Sequence, residues 1–171
     1  TITETHNSNY TLNARIDDTA AVVKDDTSVT VTLDQSRKVD LLNIPQVICQ
    51  IRKPTGGYQQ FYTLNSALNY AGTEKDGEAE IQMLRDYVIP DWDVLEIPTG
   101  YEITITSANA QTKTITKDAA VDSPMLTNYG TLSLENITFD GAGAASRYAM
   151  VRNVGELTVG DGATFSNAAI R

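Results

Sequence analysis

Met125-Leu126-Thr127-Asn128-Tyr129-Gly130-Thr131-Leu132-Ser133-Leu134 is followed, at one constant offset, by Met150-Val151-Arg152-Asn153-Val154-Gly155-Glu156-Leu157-Thr158-Val159. Methionine, asparagine and glycine recur at the same places, and an alternating Leu-x-Leu/Val pair closes each copy. After one extra residue the match resumes, with Thr138-Phe139 against Thr164-Phe165. A weaker echo lies upstream in Gly100-Tyr101-Glu102-Ile103-Thr104-Ile105, where Ile103 precedes Leu132 by a slightly longer step. A period of about 25 residues is in the solenoid range. The units carry β-type alternation and turn glycines, which excludes pairs of helices. One such coil cannot bury its own Leu, Ile and Phe. Coils stacked at about 4.8 Å lay like side chains on like and close each backbone ladder. Leu132 and Leu157 are then expected on neighbouring, in-register rungs. Gly130 and Gly155 are expected at corners with unusual φ/ψ, and Asn128 with Asn153 at equivalent, stacked turns.

Upstream of the repeat, Ile81, Met83 and Leu84, then Val94, Leu95 and Ile97, then Ile115 mark further short strands. Before them comes one helix. Thr63 can serve as its N-cap, and Leu64, Ala67, Leu68 and Ala71 form an apolar stripe at i, i+3, i+4 and i+7. Gly72 is the expected stop. A helix this short needs packing to persist, and ahead of a strand stack it suits covering an open end. Pro54-Thr55-Gly56-Gly57 is a turn. Val47, Cys49 and Ile51 alternate against Ile48, Gln50 and Arg52, which puts Cys49 inward as a small buried hydrophobe. Ser28 to Leu33 alternates as a half-buried strand, and Ala20-Ala21-Val22-Val23 could pair onto a sheet edge. The expected organisation is an N-terminal β-strand and cap region over residues 1–57. The capping helix and first coils then occupy residues 58–171. Whether residues 1–57 form a separate domain stays open.

Composition removes several functions. The chain has 171 residues, 41% of them apolar, and 22 acidic against 13 basic side chains, a net charge of −9. That surface repels phosphate backbones and anionic lipid, so neither nucleic acid nor membrane insertion is expected. No apolar run approaches the ~18 residues of a membrane span. His6 and Cys49 are the single residues of their kinds, which removes Ser-His-Asp, Cys-His and cysteine-based zinc chemistry. No cofactor or metal is expected. Asp140-Gly141-Ala142-Gly143 and Gly160-Asp161-Gly162 lack the nonapeptide spacing of calcium-binding β-rolls. Thr1 opens the chain without a signal peptide, which fits a mature secreted form or an excised fragment.

Tyr62-Thr63-Leu64-Asn65-Ser66-Ala67-Leu68-Asn69-Tyr70-Ala71 and Glu80-Ile81-Gln82-Met83-Leu84-Arg85-Asp86 together resemble the entry segment of pectate-lyase-like right-handed parallel β-helices in large Gram-positive surface proteins. So do Leu134-Glu135-Asn136-Ile137-Thr138-Phe139-Asp140-Gly141 and Leu157-Thr158-Val159-Gly160-Asp161-Gly162-Ala163-Thr164-Phe165. The resemblance covers roughly residues 60–171. It implies an all-β, right-handed parallel β-helix and an extracellular or bacterial cell-surface location. The end at Ile170-Arg171, just past a repeat landmark and without a recognisable terminal cap, reads as that of an N-terminal fragment of a longer protein, and the chain is expected as a monomer or as part of that longer chain.

That scaffold serves adhesins, carbohydrate binders and polysaccharide-cleaving enzymes alike. The first expectation is a non-catalytic, adhesin-like interaction module for a host protein or glycoprotein. Alternatives are a carbohydrate-binding domain using Tyr58, Phe61, Tyr62, Tyr87 and Trp92 as stacking platforms, a fragment of a polysaccharide-cleaving enzyme, and a purely structural cap and stalk. The candidate binding residues are Tyr87, Asp91, Trp92 and Asp93, an aromatic pair beside carboxylates. Ile89-Pro90-Asp91-Trp92-Asp93 also reads as a plain polar turn between rungs with Trp92 folded back onto the surface, and that reading is favoured.

Overall fold

The computed structural model describes residues 2–5, 10–16, 19–20, 28–31, 39–90, 92–117, 123–142 and 149–167. The chain divides into two compact units, Thr1–Gln46 and Val47–Arg171. The first contains β1 (Ile2–Thr5), β2 (Tyr10–Ile16), β3 (Thr19–Ala20), β4 (Ser28–Val31) and β5 (Val39–Pro45). β1 pairs antiparallel with β4, and β2 pairs antiparallel with both β3 and β5. The expected strand from Ser28 is thus present to Val31. His6, Leu33 and the Ala21-Val22-Val23 part of the apolar run lie outside the described residues.

In the second unit, β6 (Cys49–Arg52) and β7 (Tyr58–Phe61) form an antiparallel hairpin around the Pro54–Gly57 turn. Gly56 and Gly57 there have φ of 90° and 74°, a conformation that favours glycine. The boundary falls before this hairpin because β6 also pairs antiparallel with β8 (Glu78–Met83). Cys49 and Ile51 are buried as the alternation requires. Ile48, expected outward, is buried too. It precedes the regular pairing, and its N–H donates to the Phe61 carbonyl at 2.8 Å.

Helix α1 (Leu64–Glu74) starts where the sequence places it. Thr63 Oγ1 accepts from the Ser66 N–H at 3.1 Å, and Leu64, Ala67, Leu68 and Ala71 are buried. The stop is different. The helix runs through Gly72 to Glu74, and the chain turns at Asp76 and Gly77, with φ of 52° and 88°. The Gly77 N–H returns to the Ala71 carbonyl at 2.9 Å. Gly72 is glycine for another reason: a β-carbon there would collide with the Tyr101 ring.

The coils follow. The first holds β8, β9 (Tyr87–Ile89) and β10 (Leu95–Ile97). The second holds β11 (Glu102–Ser107), β12 (Lys113–Lys117) and β13 (Leu126–Asn128). The third holds β14 (Thr131–Leu134), β15 (Ile137–Asp140) and β16 (Val151–Asn153), and β17 (Glu156–Val159) with β18 (Thr164–Ser166) begins a fourth. Three parallel sheets run down the stack, β8-β11-β14-β17, β9-β12-β15-β18 and β10-β13-β16, and β6-β7 extends the first. This is a parallel β-helix of about 3 turns, capped at its start by α1 and the hairpin.

The register follows the repeat. Leu132 pairs with Leu157, Leu134 with Val159, Asn128 with Asn153, Phe139 with Phe165 and Ile103 with Leu132. Inside, Ile81, Ile105 and Leu134 make one buried column, and Tyr87, Ile115 and Phe139 another. Each fully buried Ile or Leu contributes about 1.5–3 kcal/mol. Asn128 is fully buried and fully used: Nδ2 donates to Asn153 Oδ1 at 2.7 Å and to the Glu156 carbonyl at 2.8 Å, and Oδ1 accepts from the Gly130 N–H at 3.1 Å. Gly130 and Gly155 do sit at corners, but without positive φ. They lack side chains because the backbone of the preceding coil passes too close for a β-carbon.

Candidate functional site

Strand alternation decides where the expected site residues go. In β9, Tyr87 and Ile89 point inward, and Tyr87 is only 1% exposed. Its hydroxyl donates to Asp93 Oδ2 at 2.6 Å, and Asp93 is itself 6% exposed. Burial pushes the Asp93 carboxyl above its ordinary range, partly offset by the Tyr87 hydrogen bond. Burial, then the bond to Asp93, pushes the Tyr87 hydroxyl up. The structure therefore brings Tyr87 and Asp93 together as an interior pair. Trp92, 64% exposed, lies outside that pair. Asp91 lies outside the described residues. The Asp93 N–H closes a turn onto the Pro90 carbonyl at 3.0 Å. Among the other aromatic candidates, Phe61 is buried and packs on Tyr70 with ring centroids 5.3 Å apart, whereas Tyr58 and Tyr62 are exposed.

A second place presents more chemistry. On the outer face of the first sheet lies a groove of about 520 Å³ crossing three coils. Ile81 and Met83 turn inward in β8, so Glu78, Glu80 and Gln82 turn out. The register lines Glu80 up with Thr104 and Ser133, and Glu78 with Glu102 and Thr131. Tyr58 and Arg52 from the hairpin and Lys75 from the end of α1 complete the lining. Gln50 Nε2 donates to Gln82 Oε1 at 3.0 Å, and Gln82 Nε2 donates to Glu80 Oε1 at 2.6 Å, which fixes the Glu80 carboxylate. Glu78 directly opposite Glu102 places like charges on neighbouring strands, an arrangement that disfavours folding. The groove thus offers carboxylate acceptors, an amide, two threonines and a serine that both donate and accept, one aromatic ring and two cations.

Sequence reading passes over this groove because its rows exist only once coils are in register. The step from Glu78 to Glu102 is also shorter than that from Leu132 to Leu157 in the visible repeat. Among the described residues no three His, Cys, Asp or Glu side chains are grouped to hold a metal ion. Asp140 Oδ1 accepts from the Ala142 N–H at 2.8 Å and from Asn167 Nδ2 at 2.9 Å, so it stabilises a corner. Among the described residues, no helix is long and apolar enough to cross a membrane. No protein-family model matches the chain, and neither a curated protein nor a solved structure does so.

Proposed function

We propose that this chain is a non-catalytic binding module of an extracellular or bacterial cell-surface protein, and that it holds an extended glycan in the groove of its first sheet. The observation that carries the reading is the pair of polar rows, Glu80-Thr104-Ser133 and Glu78-Glu102-Thr131, in a groove that the exposed Tyr58 lines from the edge hairpin. Rows that repeat every rung, about 4.8 Å apart, suit a ligand that is itself a repeating chain. Sugar hydroxyls donate and accept, as the groove side chains do, and a tyrosine ring gives a flat apolar platform with a polar tip. Hydrolysis by a carboxyl pair needs one of them enclosed and proton-bearing, whereas Glu78, Glu80 and Glu102 are all exposed. The surface location rests on the resemblance of residues 60–171.

A protein partner is the second reading, favoured by Trp92 and Val94, which are exposed large apolar side chains on one short segment. Glycan-array binding by the intact chain, lost in Tyr58→Ala and in Glu80→Gln but kept in Trp92→Ala, is the expected result. Loss in Trp92→Ala alone would move the site to that segment. No glycan bound at all would sink the glycan reading and leave a protein partner or a structural cap.

A further inference from the structure

Where the second sheet passes to the third, residues of the first and second coils line a cavity of about 100 Å³. Ile89, Leu95 and Met125 give it apolar walls, and all three are buried. Asp93 and Lys117 also line it, and at 6% and 5% exposure they are charged side chains withdrawn from solvent. Lys117 directs its ammonium to the Ser123 carbonyl. Asp93 is served less well. Its Oδ2 accepts from the Tyr87 hydroxyl, whereas among the described residues no donor reaches its Oδ1. A carboxylate so placed has lost its water without a full set of replacements, which is costly. The walls are held in place. The Asp93 N–H bonds the Pro90 carbonyl at 3.0 Å, and Asn65 Nδ2, at the start of α1, donates to the Val94 carbonyl at 2.9 Å. None of the described residues lining this cavity belongs to the groove of the first sheet.

We propose that this cavity binds a short aliphatic primary amine, whose ammonium group donates to the unused oxygen of Asp93. An ammonium supplies what the site lacks, a donor that also compensates charge, and such bonds are about twice as strong as neutral ones. The carbons of the ligand match the apolar walls. Size limits their number: at about 30 Å³ for each water-sized group, the space takes about three heavy atoms. A carboxylic acid of that size would bring its own charge against Asp93, and an alcohol offers a donor without the charge. Burial holds the Asp93 carboxyl above its ordinary range, and a bound ammonium opposes that shift by favouring the ionised form. The net charge of −9 adds to this by raising the local concentration of cations.

Amide NMR spectra of the full chain, titrated with ethylammonium chloride against potassium chloride at equal ionic strength, test this. Saturable shifts centred on residues 89–95 and 123–127 are expected, with a Kd on the order of 1–10 mM, the range open to a ligand of three heavy atoms. Ethanol keeps the size and a donor but not the charge, and is expected to bind at least about tenfold more weakly. That comparison needs no variant. Asp93→Asn removes the charge and keeps an acceptor for Tyr87. It is expected to abolish the saturable shifts while its circular dichroism spectrum stays that of wild type. Shifts that never saturate, equal affinity for ethanol, or binding retained in Asp93→Asn would each overturn the inference.

Discussion

Tyr87 and Asp93 hold each other by a 2.6 Å hydrogen bond inside the first coil, with the tyrosine 1% and the carboxylate 6% exposed. Burial raises the Asp93 carboxyl above its ordinary range, so the folded chain binds that proton more tightly than the unfolded one. By linkage, this contribution to stability is fully present below the unfolded value and is lost as pH rises through the folded value. Asp93→Asn keeps an acceptor for Tyr87 and removes the charge. The variant is expected to be more stable than wild type at pH 7, by about 1 kcal/mol. The gain should vanish in acid, as urea unfolding at the two pH values would show.

Removing the donor has the opposite sign. Tyr87→Phe leaves the buried carboxylate without its tyrosine donor, and about 1–3 kcal/mol of stability should be lost at pH 7. In an Asp93→Asn background the same change should cost less, because a neutral amide is cheaper to leave unbonded. Equal costs in both backgrounds would show that the pair is not coupled.

Asn128 makes three hydrogen bonds with no exposure, so Asn128→Ala leaves the buried Gly130 N–H without its acceptor and takes one hydrogen bond each from the Glu156 carbonyl and Asn153 Oδ1. A loss of about 3 kcal/mol or more is expected. Asn153→Ala, on the exposed last rung, should cost under about 1 kcal/mol. Thermal unfolding of the two variants side by side measures the difference.

Alanine in place of a helical glycine ordinarily stabilises by about 1 kcal/mol. Gly72→Ala should do the reverse, since the new methyl meets the Tyr101 ring. Combining it with Tyr101→Ser should recover part of the loss, and a stabilised single variant on thermal unfolding would contradict the packing described.

The columns make Phe139 and Phe165 chemically equivalent but energetically unequal. Phe139→Ala is expected to cost about 3–5 kcal/mol. Phe165→Ala should cost clearly less in urea unfolding, because 41% of Phe165 already faces solvent. Similar losses would mean that something covers the last rung in solution.

The stack is legible in Met125–Leu134 and Met150–Val159 because successive landmarks there keep one offset. The first coil is not. The step from Ile81 to its partner Ile105 is several residues shorter than the step from Leu95 to Leu126, so no single period aligns them. Gly72 reads as a stop because glycine at the end of an apolar stripe signals a C-cap locally. Its actual constraint comes from Tyr101, on the far side of the first coil in sequence. Asp93 falls in an apparent polar turn just after Tyr87, yet the alternation of β9 carries Tyr87 inward and Asp93 follows it. The groove stays hidden for the same reason as the first coil: Glu80, Thr104 and Ser133 become neighbours only through register.

The connections between the second and third sheets lengthen down the stack, from 90–94 to 118–125 to 141–150. The rungs on either side keep their pairing regardless. One seam of the solenoid is thus free to change length while the columns stay fixed. Foreign peptide spliced into the two longer connections, away from the buried Met125, should be displayed along a single ridge without disturbing the interior, and successive coils would space such inserts one strand apart.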